Sequence, residues 1–347
     1  MGKYSLDTFE RYPLVKLRPA MTGPDLRCYR LLELSWPELG PETGILISQA
    51  ESGDGAVLLR LLLDKTEDIS EVCRFIRQIG ACFSGGRALA GVVMDPGAYS
   101  GKALNQLARA YRQGFDAAFL LAEPGSEIAK VCRREGIQTG LWLPITEGVL
   151  TLRRRIAEGD LARGWEHCPV YICAKRALTL EELDAARRWH ASGADSMAPL
   201  GARMTLRRMM FPKDLTSGGL MPLRMWWQNI GTAPLYHETR VLLELGNEKD
   251  RFPISITENM NRPGLGDSTF NITAQLPPVP CGTYTLWCGL ESGGRKLVLA
   301  MDTAAVDGMY EIGEITLDDT PRPYLRTMWE TQYADGYYPL EDPSQPE

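Results

Sequence analysis

Four acidic residues close short apolar runs: Asp64 ends AVLLRLLLD, Asp95 ends LAGVVMD, Glu123 ends DAAFLLAE, and Glu147 follows QTGLWLPI. Two such carboxyl groups can break a glycosidic bond when one acts as acid and the other as nucleophile or base, across roughly 5 to 9 Å. Asp95 and Glu123 end neighbouring runs and make the best catalytic pair. Asp64 and Glu147 are candidate substrate contacts. Asp95-Pro96-Gly97 and Glu123-Pro124-Gly125 are also common turn strings, an acidic residue followed by proline and glycine. The residue types alone leave hydrolysis, binding without turnover and plain turn formation open.

Trp36, Tyr99 and Trp142 lie at or near the same ends, where flat aromatic faces could stack on a ligand or simply fill a core. Arg60 sits inside an apolar run, so an inward-pointing guanidinium needs a partner, and Glu33 or Asp64 could supply it. It is equally a candidate substrate contact. His167, Cys168 and Cys173 do not form a metal-ligand pattern, because the chain has three histidines and no Cys-x-x-Cys. Ser84-Gly85-Gly86-Arg87 lacks the lysine of a phosphate loop, and no Gly-x-Ser-x-Gly elbow occurs. Neither a metal nor a cofactor is expected.

The elements that must position these residues change character along the chain. From about Cys28 to Pro199, short apolar runs alternate with segments of helical periodicity that start on polar residues such as Asp68, Ser126 and Thr179. Such a βα series, six to eight units long, predicts a small or degenerate (β/α) barrel, with its reactive groups at the C-terminal strand ends. Beyond residue 205 the pattern becomes strands alone, with Gly, Pro, Asn and Asp in the turns, which predicts a β-sandwich over 206–317. Residues 318–347 form a proline- and aromatic-rich tail, expected to dock on its own protein. The barrel is thus expected over 1–205, and the fold class is α/β plus all-β.

The balance of 44 acidic against 38 basic residues gives a net charge of -6 and no basic footprint for nucleic acid or an acidic membrane. The opening MGKYSLDTFERYPLVKL has no apolar signal core, and no run has the length of a membrane span. The chain as it stands is expected in the cytoplasm, or outside it if a leader precedes this start. Its eight cysteines lack a disulfide framework and are expected as reduced, buried thiols.

Asn229, Gly231, Ala233, Pro234 and Tyr236, together with Gly282-Thr283-Tyr284, carry a resemblance. From about Gly201 to Leu317 the chain resembles the C-terminal module of the bacterial domain of unknown function 4832 family. In that family an immunoglobulin-like sandwich follows a barrel similar to glycoside hydrolases, and LLELSWPELGPETG resembles its opening strand, with Trp36 and Gly44 in place. The chain departs from the pattern at Gly40, in MDPGAYSG and in CPVYICAK, where the family's glutamates are missing. The resemblance therefore implies a carbohydrate ligand and a degenerate barrel that binds or scaffolds, with glycoside hydrolysis as the alternative.

One further stretch, PLRMWWQN, sets Trp226 beside Trp227. Successive side chains of a strand point to opposite faces, so Leu223, Met225 and Trp227 suit a core while Arg224, Trp226 and Gln228 face away from it. Trp226 is expected to pack on the barrel or the tail near Trp329, or to form a sugar-stacking platform.

Overall fold

The computed structural model describes residues 14–16, 29–35, 57–63, 68–83, 89–116, 118–146, 148–159, 161–256, 260 and 263–322. Trp36, Asp64, Glu147 and the tail from 323 onward lie outside the described residues. The chain forms two compact units, one between Pro24 and Ala202, the other from Arg203 onward together with the strand β1 (Leu14–Lys16).

The first unit is a parallel sheet of seven strands that neighbour one another in sequence order. They are β2 (Arg30–Ser35), β3 (Val57–Leu62), β4 (Leu89–Val93), β5 (Phe119–Ala122), β6 (Gly140–Pro144), β7 (Val170–Cys173) and β8 (Gly193–Ala194). Helices α1 (Ile69–Cys82), α2 (Lys102–Gly114), α3 (Glu127–Arg134), α4 (Val149–Glu158) and α5 (Leu180–Arg188) fall between successive strands from β3 onward. The sheet curls until its edges meet: the Tyr29 amide, one residue before β2, donates to the Ala194 carbonyl of β8 at 3.0 Å. Alternation along each strand separates two apolar faces. One packs on the helices through residues such as Leu59, Leu61, Val92 and Leu120. The other carries Leu58, Val93, Leu121, Trp142 and Tyr171, which gather around Tyr29 and fill the inside of the curl.

Polar helix starts are satisfied where the sequence places them. The Asp68 carboxylate accepts from the Ser70 amide, and the Ser126 hydroxyl accepts from that of Ala129. At α5, Thr179 and Glu182 form a reciprocal capping box. Glu182 is only 7% exposed, and its carboxylate takes two hydrogen bonds from Arg176, at 2.6 and 2.7 Å. This pairing, reinforced by the Thr179 backbone, lowers the Glu182 pKa from 4.5 to about 2. A depressed carboxylate stabilises the fold above its unfolded pKa and loses that contribution as pH falls through the folded value. Glu182→Gln is therefore expected to cost about 1–2 kcal/mol at neutral pH, allowing for solvent screening at the half-exposed Arg176. Urea midpoints should show that deficit shrinking from about pH 4.5 and vanishing near pH 2; a deficit constant across this window would mean that the charge is irrelevant.

The second unit consists of two sheets sharing one core. β1, β9 (Met204–Met210), β11 (Leu220–Asn229) and β14 (Gly266–Gln275) form an antiparallel sheet in the order β1-β9-β11-β14. The other sheet runs in the order β10 (Asp214–Thr216), β17 (Tyr310–Asp318), β15 (Gly282–Ser292), β12 (Thr239–Gly246) and β13 (Arg251–Ile254), with β16 (Arg295–Lys296) beside β15. Its β10–β17 pair is parallel and the others are antiparallel. Inward residues of both sheets, including Leu223, Trp227, Leu245, Leu286 and Ile315, make a single cluster.

Met204–Met210 is a strand although Arg207 and Arg208 interrupt its alternation. The register slips there: Trp226 faces Arg208 while Trp227 faces Leu206, leaving Arg207 as the extra residue of a bulge. The apolar run RKLVLAM is a strand only over Arg295–Lys296; farther on, the Leu299 amide donates to the Tyr310 hydroxyl at 2.8 Å. Among the described cysteines all are free, but Cys82 and Cys281 are exposed rather than buried.

Trp227 is fully buried, whereas Trp226 is half-buried on the opposite face. The Trp226 indole N–H donates to Asp267 at 2.9 Å, and the Arg207 guanidinium lies 5.8 Å from its ring centroid. The bulge thus brings a cation to the tryptophan within its own sheet.

Candidate functional site

The parallel sheet places Glu33, Arg60 and Asp95 on its inner face, one layer beyond Leu58 and Val93. Glu33 and Arg60 are register partners on β2 and β3, and Arg60 is aligned with Val93, two residues before Asp95. Arg60 bridges both acids, with Nη1 3.4 Å from Glu33 Oε1 and Nη2 2.9 Å from Asp95 Oδ2. Asp95 is the most enclosed of the three, at 19% side-chain exposure. Its second oxygen accepts from the Gly97 amide at 2.9 Å, and Gly97 takes a φ of 55°. This is an Asx turn, so the Asp-Pro-Gly string does turn work while its carboxylate also neutralises Arg60. Arg60 Nε is buried with no hydrogen-bond partner among the described residues.

Glu123 lies in different surroundings. Its Oε1 accepts from Arg155 of α4 at 2.6 Å, and its carbonyl accepts from the Ser126 hydroxyl at 2.7 Å. Gly125 adopts a φ of 78°, which only glycine tolerates readily, and the turn then delivers Ser126 as the cap of α3. Alternation along β5 would point position 123 inward, but the strand ends at Ala122 and the carboxylate engages the helix layer instead. Asp95 and Glu123 are therefore held by separate arginines, one on a strand and one on a helix.

Beneath the charged layer the curl is filled with aromatic rings. Trp142 is 5% exposed, and Tyr29 meets both Trp142 and Tyr171, at centroid distances of 5.9 and 5.4 Å. Tyr29 also donates its hydroxyl proton to the Ile172 carbonyl at 2.7 Å. Trp142 is thus a packing residue rather than a face open for stacking. Tyr99 is half-buried against the helix-side core.

Asp195, immediately after β8, is an acid that sequence reading missed. It accepts from the Ala174 and Lys175 amides at 2.9 and 2.7 Å, fixing the end of β7. The available signal was its position after the Gly193-Ala194 pair, but a strand of two residues has no readable periodicity. Burial first, then the charge of Asp195, pushes the neighbouring Cys173 thiol up to about 12. It stays protonated at neutral pH and is unsuited to nucleophilic attack.

No family model and no curated protein matches the chain. Among solved structures, it is similar to a β-glucosidase from Listeria innocua in complex with glucose, with 10% identity, 88% of this chain and 48% of that chain covered, and a TM-score of 0.25. A Bacteroides uniformis β-glucuronidase gives 7% identity, 83% and 41% coverage and a TM-score of 0.30. A CARDB domain from Pyrococcus furiosus, in complex with di-metal ions, gives 11% identity, 33% and 93% coverage and a TM-score of 0.22. The chain spans about half the length of the glucosidase that it matches. Superposition scores this low leave function to be argued from the site itself.

Proposed function

We propose that the protein binds or scaffolds carbohydrate with a barrel that does not hydrolyse it. The observation that carries this reading is the separate engagement of the two candidate catalytic acids. A glycosidase needs one protonated and one free carboxyl group facing a shared bond. Here Asp95 is spent on Arg60 and the Gly97 turn, and Glu123 on Arg155. The aromatic filling beneath them supports the same reading, since a sugar would have to displace Tyr29, Trp142 or Tyr171 to enter the curl. What remains for a ligand is the polar layer of Glu33, Arg60 and Asp95, whose hydrogen-bonding groups suit hydroxyls. On this proposal the antiparallel unit is the immunoglobulin-like sandwich of the resembled family.

The test is thermal-shift screening against mono- and oligosaccharides, combined with hydrolysis assays on nitrophenyl glycosides. A ligand that binds only the folded state raises the apparent stability, by about 2.7 kcal/mol at a hundredfold excess over Kd. We expect a stabilising sugar class, a response reduced in Asp95→Asn, and no turnover. Turnover abolished by Asp95→Asn and Glu123→Gln would replace this reading with that of a glycoside hydrolase. Absence of any shift across the panel would remove carbohydrate altogether.

A further inference from the structure

The edges of the second unit's two sheets are β1 and β14 in one, β10 and β13 in the other. An edge strand offers unpaired amides and carbonyls to any other strand, and proteins blunt such edges by keeping them short or by placing proline or basic residues on them. β1 and β10 have three residues each, and β1 carries Lys16. β13 has four, with Arg251 and Pro253 among them. β14 has none of these devices. It runs for ten residues without proline, lysine or arginine, and pairs with β11 in one unbroken register. Asp267 is its single charge. Among the described residues its far side is met only by a bridge from Ser255 at Gln275.

The phase of the ladder decides which groups are free. In an antiparallel pair alternate residues turn both amide and carbonyl toward the partner strand, and the residues between them turn both away. The Leu276 amide donates to the Gly219 carbonyl at 2.9 Å, one step past the Leu220–Gln275 pair, which assigns the main-chain groups of Ala274, Ile272, Phe270 and Ser268 to β11. Pro222 agrees, because it stands opposite Thr273 and has no amide to give. The amides and carbonyls of Asp267, Thr269, Asn271 and Thr273 therefore point outward from the sheet edge. Two of these residues are fixed by their side chains: Asp267 accepts from Trp226 at 2.9 Å, and Asn271 accepts from Arg224 Nε at 3.1 Å. Phe270, on the core face, is only partly buried.

This stretch is complementary to itself. Turned about a two-fold axis through Phe270, it sets Thr269 opposite Asn271 of a second copy and Asp267 opposite Thr273, so each outward group finds a partner and no like charges face each other. Such pairing keeps even positions opposite even ones, so the core face continues across the axis with Phe270 against its own counterpart. We propose that β14 is a self-association edge, joining two copies of this chain through an antiparallel β14–β14 pair centred on Phe270. The pairing uses no residue of the Glu33, Arg60 and Asp95 layer and does not depend on the carbohydrate reading. One strand pair is a small interface, so the dimer should form reversibly with concentration.

Sedimentation equilibrium of the full chain from about 1 μM to about 0.5 mM tests it, the upper limit being enough to populate even a weak pair. A reversible monomer–dimer equilibrium is expected. Thr269→Pro, which removes an outward amide and no bond to β11, should weaken it by about tenfold or more with unchanged circular dichroism. Two charge variants read the register. Thr273→Glu sets a carboxylate opposite Asp267 on both sides of the axis and should weaken the dimer severalfold, whereas Thr273→Lys should strengthen it. These two decide the matter if the proline variant fails to fold. A monomer at every concentration overturns the proposal, as does a dimer that persists unchanged in folded Thr269→Pro. A dimer on which Thr273→Glu and Thr273→Lys act alike overturns it too, because Asp267 would then not face position 273. A monomer whose Thr269 and Asn271 amides are nonetheless slow to exchange would put another segment of this chain on the edge, and so overturn the second copy as its occupant.

Discussion

Trp227→Ala should destabilise the antiparallel unit by about 3–5 kcal/mol, the usual cost of truncating a fully buried tryptophan. Trp227 has no exposed surface and lies between Leu206 and Ser268 on the flanking strands, in the core shared by both sheets. Its neighbour supplies the control. Trp226 faces the other way, and its polar contacts with Asp267 and Arg207 are partly solvated, so Trp226→Ala should cost only about 1 kcal/mol. Trp227→Phe refines the argument. The Trp227 indole N–H is buried without a hydrogen-bond partner among the described residues. Phenylalanine loses packing but removes that orphaned donor, whose burial costs about 1–3 kcal/mol, so the net penalty should fall well below that of alanine. Urea titrations followed by near-UV circular dichroism separate these outcomes, provided the two units are fitted as separate transitions. Equal penalties for the two alanine variants would mean that the adjacent tryptophans do not divide between a core face and an outer face.

That division could be read from the sequence because a strand's alternation is local: Trp227 shares its parity with Leu223 and Met225. The helix starts were readable for the same reason, since Asp68, Ser126 and Thr179 cap amides only two or three residues away. The site was readable only in part. Arg60 inside an apolar run announces a cation that needs a partner, and Glu33 was identified as one, but the closer one is Asp95, 35 residues away and two residues past the end of β4. Asp95 qualified by its strand-end position, yet position does not reveal that its second oxygen is occupied by Gly97. Glu123 qualified by the same rule, and its engagement by Arg155 could not be read at all, because it depends on how α4 lies across the end of β5. The bulge at Arg207 was hidden by a related effect, since one extra residue breaks the alternation that marks a strand.

What holds the strand ends in place is tested most sharply by Gly80→Ala, which should destabilise the parallel unit by about 3 kcal/mol. Gly80 is in the last turn of α1 and buried against Gly114, the last residue of α2. A β-carbon at position 80 would sit 2.0 Å from the Gly114 carbonyl oxygen and 2.4 Å from its carbon. Both are backbone atoms, so no rotamer change relieves the overlap and the helices must separate. Alanine's better helix propensity, about 1 kcal/mol, offsets only part of that cost. Gly114→Ala gains the same propensity but meets the Ile76 carbonyl oxygen at 3.0 Å, a few tenths of an ångström too close, so its net effect should lie within about 1 kcal/mol of zero. The consequence extends beyond stability. α1 leaves the strand that carries Arg60, and α2 follows the strand that leads to Asp95, so parting the helices loosens the frame on which that ion pair is built. Hydrogen exchange should therefore rise in β3 and β4 as well as at the helix ends in Gly80→Ala, and remain near the parent level in Gly114→Ala. Faster exchange confined to the helix termini would show that β3 and β4 hold the Arg60–Asp95 layer without help from the helix pair.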